Sequence, residues 1–173
     1  MKGAAFIADG APCLWNLARE CLPGAVEIQD FWHVAERLWA LGRDLYGKES
    51  EGARTAGRKW KEMLWEGRVE EIVLELDVLS KRHRGEKRGR LLEEMGYLED
   101  GRRRMDYPRY RAEGWPVGSG AVEATCKQLV KERMCVTGAR WRRGNIPAVV
   151  ALRLCRANDE WDRDFDGTAT RAA

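Results

Sequence analysis

The sequence predicts a mostly helical α/β protein that has only two strands, which run parallel. Three observations lead to this prediction. The first thirty residues alternate between short apolar runs and a helical pattern. Almost every later segment shows apolar residues at helical spacing. The chain has 173 residues, of which 44% are hydrophobic, so it can form one domain with a substantial core.

The beginning of the chain has the pattern of a β-α-β unit. Residues 4–8, AAFIA, form an apolar run that ends at Asp9, as expected for a strand buried on both faces. A helix is predicted over residues 12–22, and residues 25–29 form the second strand. A short crossover of this kind makes the two strands parallel. We therefore expect Asp9 and Asp30 at the same end of the sheet.

From Asp30 onward the sequence is dominated by amphipathic helical patterns. Residues 105–120 contain two prolines and three glycines, so this stretch is expected to be an irregular approach to the next helix, which carries Glu123. Residues 166–173 are small and polar, and we expect this tail to fray. Helices are predicted at residues 31–46, 50–66, 68–83, 86–100 and 145–157.

The predicted sheet is unusually small. Two parallel strands are too few to form an independently stable sheet, and parallel strands normally have neighbours and are covered on both faces. The first strand starts almost at Met1, so no upstream residue of this sequence could pair with it. Either helices cover both edges or the sheet is completed elsewhere. We therefore expect the chain to be the later part of a larger α/β domain.

Composition argues against several classes of protein. No run of about 18 apolar residues is present, so no membrane-spanning helix is expected. The N-terminus lacks the features of a signal peptide, which predicts a cytoplasmic location. The five cysteines form an odd set without a C-x-x-C pair. This pattern argues against a disulfide framework or a zinc site and favours thiols packed as small apolar residues.

Basic residues are concentrated in three short segments, although the net charge is only +3. These segments are residues 81–90, 102–104 and 140–143, and the last one contains a tryptophan. Such runs are most often solvated helix faces. Three of them in one chain shift the balance modestly toward binding of a phosphate backbone.

Four residues could carry chemistry, and each also has a purely structural explanation. Asp9 and Asp30 follow the two strands, where ligands gather in open α/β sheets, but Asp9 could be a turn residue and Asp30 a helix cap. His33 could be a packed core histidine, and Glu123 lies near a helix N-terminus, where the helix dipole favours any carboxylate. Together, two strand-end carboxylates and a distant glutamate provide the oxygen ligands that Mg²⁺-dependent phosphoryl transfer requires.

The ordered motifs ADGA, DFWH, GSGAVEATCK and VTGARW resemble the C-terminal half of insertion-sequence transposases of the DDE superclass, most closely the ISKra type. The resemblance covers about residues 4–165. It implies a partial ribonuclease-H-like fold, in which the helical stretch at about residues 31–113 is an insertion between the second and third catalytic acids. Residues 1–165 would then be the C-terminal part of a transposase catalytic domain.

The resemblance also implies a role for each matching residue. Asp9, in ADGA, corresponds to the second catalytic aspartate, and Glu123, in GSGAVE, to the third catalytic acid. Both would be ligands of Mg²⁺ or Mn²⁺ in a completed site. Asp30 and His33 correspond to the accessory D-x-x-H pair that follows the second aspartate. The family's first catalytic aspartate lies on an earlier strand, which would be upstream of AAFIADG.

DNA would be the partner of such a protein, both as insertion-sequence ends and as target. Arg140 and Trp141 match the G-x-R-W segment that follows the catalytic helix, although Ala139 occupies the position of an expected methionine. No membrane partner is expected. The expected DNA-contacting residues are Lys127, Arg133, Arg140, Trp141, Arg142 and Arg143.

Three functions remain open from the sequence. The first is a truncated or split DDE transposase, active in DNA cleavage and strand transfer when intact and inactive alone. In the second, an upstream-encoded transposase half supplies the first aspartate and the two parts assemble. The third is a non-enzymatic, basic helical module that binds DNA and regulates the element.

Overall fold

The computed structural model describes residues 3–120, 124 and 126–161. The chain forms two compact units, Met1–Ser119 and Gly120–Ala173. The described residues are mostly helical and include one sheet of two parallel strands, so the predicted α/β class is confirmed. Among the residues that the structure describes, every helix is too short or too polar to cross a lipid bilayer.

The first unit begins with the predicted β-α-β arrangement. Strand β1, Ala5–Ala8, pairs in parallel with β2, Val26–Gln29, and helix α1, Pro12–Cys21, connects them. The register places Ala5 beside Val26 and Ala8 beside Gln29. The predicted parallel pairing is therefore confirmed.

The other helices of the first unit begin and end close to the predicted positions because capping residues fix their ends. The side chain of Asp30 caps α2 and that of Ser50 caps α3. Residues 105–120 are less irregular than predicted, because Asp106 caps a short helix that has Pro108 in its first turn. The helices are α2 Phe31–Tyr46, α3 Glu51–Trp65, α4 Val69–Arg82, α5 Gly85–Gly101 and α6 Tyr107–Ala112, with a 3-10 turn at Arg102–Arg104.

The core of the first unit lies among α2 to α6 and one face of the sheet. Phe31 packs edge-on against Trp65 and Tyr107, with ring centroids 4.9 and 5.2 Å apart. A partly buried ion pair also joins α2 to α5, in which the Arg37 guanidinium donates two 2.9 Å hydrogen bonds to the buried Glu94 carboxylate. The largest fully buried side chains include Ile28, Phe31, Leu38, Trp60, Leu64, Ile72, Leu91, Tyr107 and Tyr110.

The second unit is smaller and, in its described part, contains no buried residue. A π-helical turn, Lys127–Lys131, continues into the short helix α7, Glu132–Met134. A 3-10 turn, Arg143–Asn145, precedes helix α8, Ile146–Ala157, which confirms the last predicted helix. Arg153 Nη2 donates a 2.6 Å hydrogen bond to the Gln128 carbonyl and so joins α8 to the π-helical turn.

The cysteines are free thiols, but most of them are not packed as predicted. Helix α1 buries Trp15 and Ala18, so its two cysteines lie on the solvent side. Cys155 is half-buried. The packing prediction was wrong for the four exposed thiols, which are Cys13, Cys21, Cys126 and Cys135.

Candidate site at the ends of the strands

Asp9 and Asp30 lie at the same end of the sheet, as predicted. Each follows the last paired residue of its strand, because Ala8 and Gln29 are register partners. Neighbouring strands are about 5 Å apart, so the two aspartates follow adjacent strands at the carboxyl end of the sheet. This end is where open α/β folds bind ligands.

Asp9 has an exposed carboxylate at the start of a tight turn. One oxygen, Oδ1, accepts a 3.0 Å hydrogen bond from the Ala11 N–H, so the turn role considered for Asp9 is real. Within the described chain, the other oxygen, Oδ2, has no hydrogen bond. Asp9 can therefore hold the turn and still offer an oxygen to a ligand.

The backbone around Asp9 is held by α5. The Tyr97 hydroxyl donates a 2.7 Å hydrogen bond to the Asp9 carbonyl, and burial raises the pKa of that hydroxyl. Gly10 has a φ of +105°, and a Cβ there would lie 2.8 Å from Gln29 Nε2 and 2.9 Å from Tyr97 Cε2. Both the backbone angle and the close approach therefore favour glycine. A cleft of about 480 Å³ adjoins this turn, and its lining includes Gly10, Trp15, Gln29, Arg37, Tyr97 and Arg104.

Asp30 is bound on both of its carboxylate oxygens. Oδ1 accepts hydrogen bonds from the backbone N–H groups of Trp32, at 2.8 Å, and His33, at 3.1 Å. Oδ2 accepts a 2.6 Å hydrogen bond from the Ser119 N–H. The residue is only 5% exposed. Burial alone would raise the pKa of Asp30, but the hydrogen bonds from Ser119, His33 and Trp32 outweigh it and lower the pKa below its usual value.

The Asp30 carboxylate is therefore negatively charged, and it holds backbone N–H groups in place. It caps α2, as the structural explanation predicted, and it also fixes a segment 89 residues away in the sequence. The backbone N–H groups of Trp32, His33 and Ser119 donate to it, and the Ser119 side chain adds a further hydrogen bond. Such a carboxylate is suited to positioning neighbouring chain segments rather than to binding a metal.

Residues 117–119 pack against the end of β2 and the start of α2. The Phe31 N–H donates a 2.9 Å hydrogen bond to the Val117 carbonyl, and the Ser119 N–H binds Asp30. Between them, Gly118 lies against the Trp32 indole, and a Cβ at this glycine would be 2.6 Å from Trp32 Cδ1. The glycine turn therefore reaches the strand ends because position 118 has no side chain.

The two remaining candidate residues are His33 and Glu123. His33 is half-buried near the start of α2, and its imidazole makes no hydrogen bond to any described residue. Glu123 lies outside the described residues. The distance of about 8 Å or less that the metal-ligand hypothesis requires between the Glu123 and Asp9 carboxylates therefore stays a prediction.

The described residues alone do not form a metal centre. They contain no group of three or more His, Cys, Asp or Glu side chains that could hold a metal ion. Asp9 offers an available carboxylate, whereas both oxygens of Asp30 are occupied. Mg²⁺ prefers octahedral coordination by oxygen and usually keeps several waters. Further carboxylates would have to join Asp9 to complete a site.

The expected DNA-contacting residues lie in the second unit. Two of them form a cation–π contact, in which the Arg133 guanidinium is 5.4 Å from the centroid of the Trp141 ring. Trp141 is half-buried, and its buried indole Nε1 has no hydrogen-bond partner among the described residues. The exposed cations of the set are Lys127, Arg133, Arg140, Arg142 and Arg143.

The two other basic segments are partly neutralised by acids of the same chain. In the segment 81–90, the Lys81 ammonium is 2.6 Å from an Asp77 oxygen, and Arg90 pairs with Glu93 at the same distance. The segment 102–104 also has acidic partners, because Arg102 contacts Glu70 and Arg104 contacts Glu27, at 3.3 and 2.5 Å. These pairs reduce the positive charge available to a phosphate backbone.

The structure also reveals Tyr97, which binds the Asp9 carbonyl from 88 residues away and which no local pattern marks. Ser119 lies in the GSGAVE motif, but its hydrogen bond to Asp30, 89 residues away, is not visible in the local pattern. Comparisons with protein-family models, with curated proteins and with solved structures found no match to this chain. Its function must therefore be inferred from the residues and geometry of the site.

Proposed function

We propose that the chain is the C-terminal part of the catalytic domain of a DDE-type transposase, with a ribonuclease-H-like fold. The observation that carries this proposal is the contact between Ser119 and Asp30, which brings the Gly-Ser-Gly turn to the strand ends. A catalytic site made from ADGA, DFWH and GSGAVE requires these motifs to meet. Docking of the turn at β2 supports such a meeting, although 89 residues separate the two partners.

The proposal gives the two strand-end aspartates different roles. Asp9 has an exposed carboxylate and is the metal ligand. Asp30 holds the turn and is a positioning residue. Glu123 follows Ser119 by four residues, and four residues of chain reach at most about 14 Å. Fixing Ser119 at the strand ends is therefore what this mechanism needs in order to bring Glu123 to Asp9.

The chain's own residues would supply only part of the catalytic machinery. Mg²⁺ bound by Asp9 and Glu123 would polarise a phosphodiester and activate the attacking oxygen. A third acid would come from another segment or polypeptide, since the described residues contain no group that could hold the metal. The exposed cations near Trp141 would contact the DNA backbone and so position the strand.

The proposal is tested by plasmid nicking with Mg²⁺ or Mn²⁺, using this chain alone and co-produced with the polypeptide encoded directly upstream of it. Little cleavage is expected from the chain alone and clear cleavage from the pair. In the active pair, Asp9→Asn and Glu123→Gln should each abolish cleavage, because each removes a metal-ligand charge while keeping the shape. Asp77→Asn alters a half-buried aspartate of α4 that pairs with Lys81 and should leave cleavage unchanged.

Two results would contradict the proposal. One is robust cleavage by the isolated chain, since Asp9 and Glu123 without a third acid should hold the metal poorly. The other is cleavage by the pair that survives Asp9→Asn. Absence of an upstream reading frame for the missing strands would favour the regulatory function instead.

A non-enzymatic DNA-binding module is the second candidate, and the exposed basic set around Trp141 favours it. Binding of duplex DNA should be weak and should have little sequence preference. Each phosphate contact removed should lower the magnitude of the slope of log affinity against log salt by roughly one. Arg142→Ala with Arg143→Ala should therefore weaken both binding and salt dependence, and a gel-shift titration at several salt concentrations measures both. Unchanged binding would exclude these side chains as the DNA contact.

A further inference from the structure

The outer edge of β2 is closed by the first unit itself. In this pairing, the Val26 and Asp30 N–H groups point toward β1, since they bind the Ala4 and Ala8 carbonyls. The backbone N–H and C=O groups of the odd-numbered residues of β2 therefore point away from β1. Their carbonyls accept hydrogen bonds from two tyrosines, because Tyr110 binds Glu27 and Tyr107 binds Gln29, at 3.4 and 3.0 Å. No further strand can pair along this edge without displacing α6.

The outer edge of β1 is open in the described chain. Ala4 and Ala8 use their carbonyls to pair with β2, so Ala5 and Ile7 direct both their N–H and C=O groups away from it. Within the residues that the structure describes, β1 has no second strand neighbour and the backbone groups of Ala5 and Ile7 have no partner. Buried or half-buried backbone groups normally find hydrogen-bond partners.

Both faces of β1 are nevertheless covered. On one face, Phe6 packs edge-on against Trp15 of α1, with ring centroids 6.1 Å apart. On the other face, Ala5 and Ile7 pack against the core. The strand has no charged residue, proline or bulge, which are the usual devices that keep an edge strand from pairing with another chain. Its edge therefore suits another short, apolar strand.

We propose that this edge pairs with β1 of a second copy of the chain, in antiparallel orientation about a twofold axis that passes midway between the two Phe6 residues. Ala5 of one copy would lie opposite Ile7 of the other, and each pair would exchange both backbone hydrogen bonds. The register is self-complementary because the two outward-facing residues are equally spaced from Phe6. The two small sheets would become one four-stranded sheet, which is large enough to be stable by itself.

The same register is favourable in charge at the ends of the strands. Asp9 of one copy would lie opposite Gly3 of the other, which is next in sequence to Lys2. The negative end of each β1 would therefore meet the positive end of its mate. This pairing goes beyond the proposed function and does not depend on it. It would compete with any other strand for the same edge, so the dimer would be a form in which no further strand can join β1.

The test is amide hydrogen exchange together with sedimentation of the purified chain over a range of concentrations. As the dimer forms, the amides of Ala5 and Ile7 should slow by on the order of tenfold or more. The amides of Phe6 and Ala8 pair with β2 and should be protected at every concentration, so they are an internal control. A chain that stays monomeric at all concentrations, or a dimer in which Ala5 and Ile7 still exchange freely, would overturn the proposal.

Substitutions at Ala5 provide a second arm. Ala5→Pro removes one outward N–H at the first residue of an edge strand, where proline is tolerated, and it should shift the chain to monomer. Ala5→Ser keeps this N–H and nearly the same size and should still dimerise. Circular dichroism would check that both variants are folded. Equal dimerisation of the two variants would contradict pairing through this edge, whereas DNA cleavage bears only on the proposed function.

Discussion

Asp9 and Asp30 are the same residue type at the ends of neighbouring strands, and their surroundings give them different properties. Asp9 is exposed and keeps an oxygen available, whereas Asp30 is buried under three backbone N–H donors. Both positions could be predicted from the sequence, because strand ends and helix caps are local patterns. Their different roles could not, because Asp30 is also bound by Ser119, which is distant in sequence.

Replacing Asp30 by asparagine should destabilise the first unit by roughly 1–3 kcal/mol. An amide can still accept from Trp32 and His33, but its NH₂ group cannot accept from the Ser119 N–H. Urea unfolding at pH 7 measures the change. Asp9→Asn is the matched control and should cost no more than about 0.5 kcal/mol, because Asp9 is exposed. Equal losses in the two variants would show that Asp30 does not hold the turn.

Acid should weaken the contribution of Asp30. The hydrogen bonds lower its folded-state pKa below 3.8 even though burial opposes them. Its charge therefore stabilises the fold above that value, and the stabilisation is lost as pH falls through the lower, folded-state pKa. The difference in unfolding free energy between wild type and Asp30→Asn should be largest near neutral pH and shrink below about pH 4. A difference that grows on acidification would contradict this assignment.

At the scale of elements, local signals predicted the helices well, whereas contacts distant in sequence decided the rest. The predicted bounds of α2 and α3 agree with the structure to within one or two residues, and Asp30 and Ser50 cap these two helices. The closing of β2 by Tyr107 and Tyr110 was not predictable, because the partners lie in a segment whose own pattern indicated irregular structure. The sequence therefore indicated that the sheet edges need to be covered, but not which residues cover the edge of β2.

The glycine turn should be sensitive to substitution at Gly118 but not at Gly120. A Cβ at Gly118 would meet the Trp32 indole at 2.6 Å, so Gly118→Ala should displace the turn and destabilise the first unit by about 1–3 kcal/mol. Gly120→Ala has open space around it and should change stability by less than about 0.5 kcal/mol. Urea unfolding monitored by tryptophan fluorescence compares them. If both variants behave alike, Gly118 is not the point of contact.

At the scale of the whole molecule, the two units differ in how they are built. The first has a contiguous core that includes Phe31, Trp60 and Tyr107, whereas the described part of the second has no buried residue. Burial of apolar surface is the main source of folding stability. The sequence predicted a single domain from total length and composition, and these averages do not reveal that burial is concentrated before residue 120.

A polypeptide of residues 1–119 should therefore fold without the remainder of the chain. Its urea unfolding should be cooperative, and its midpoint should lie close to that of the full chain, because its core residues all precede residue 120. A polypeptide of residues 120–173 should show no cooperative transition in the same experiment. Loss of cooperative unfolding in residues 1–119 would mean that the second unit is required for the core to form.

The central claim is that Asp9 is the metal ligand at the strand ends and Asp30 positions the turn beside it. Titration of the isotopically labelled chain with Mn²⁺, followed by paramagnetic broadening of amide signals, tests this claim most directly. The account predicts that Asp9, Gly10 and Ala11 broaden first, that Asp9→Asn abolishes this effect, and that Asp30→Asn leaves broadening at Gly10 and Ala11 in place. Broadening centred away from Asp9, or lost with Asp30→Asn but not with Asp9→Asn, would contradict it.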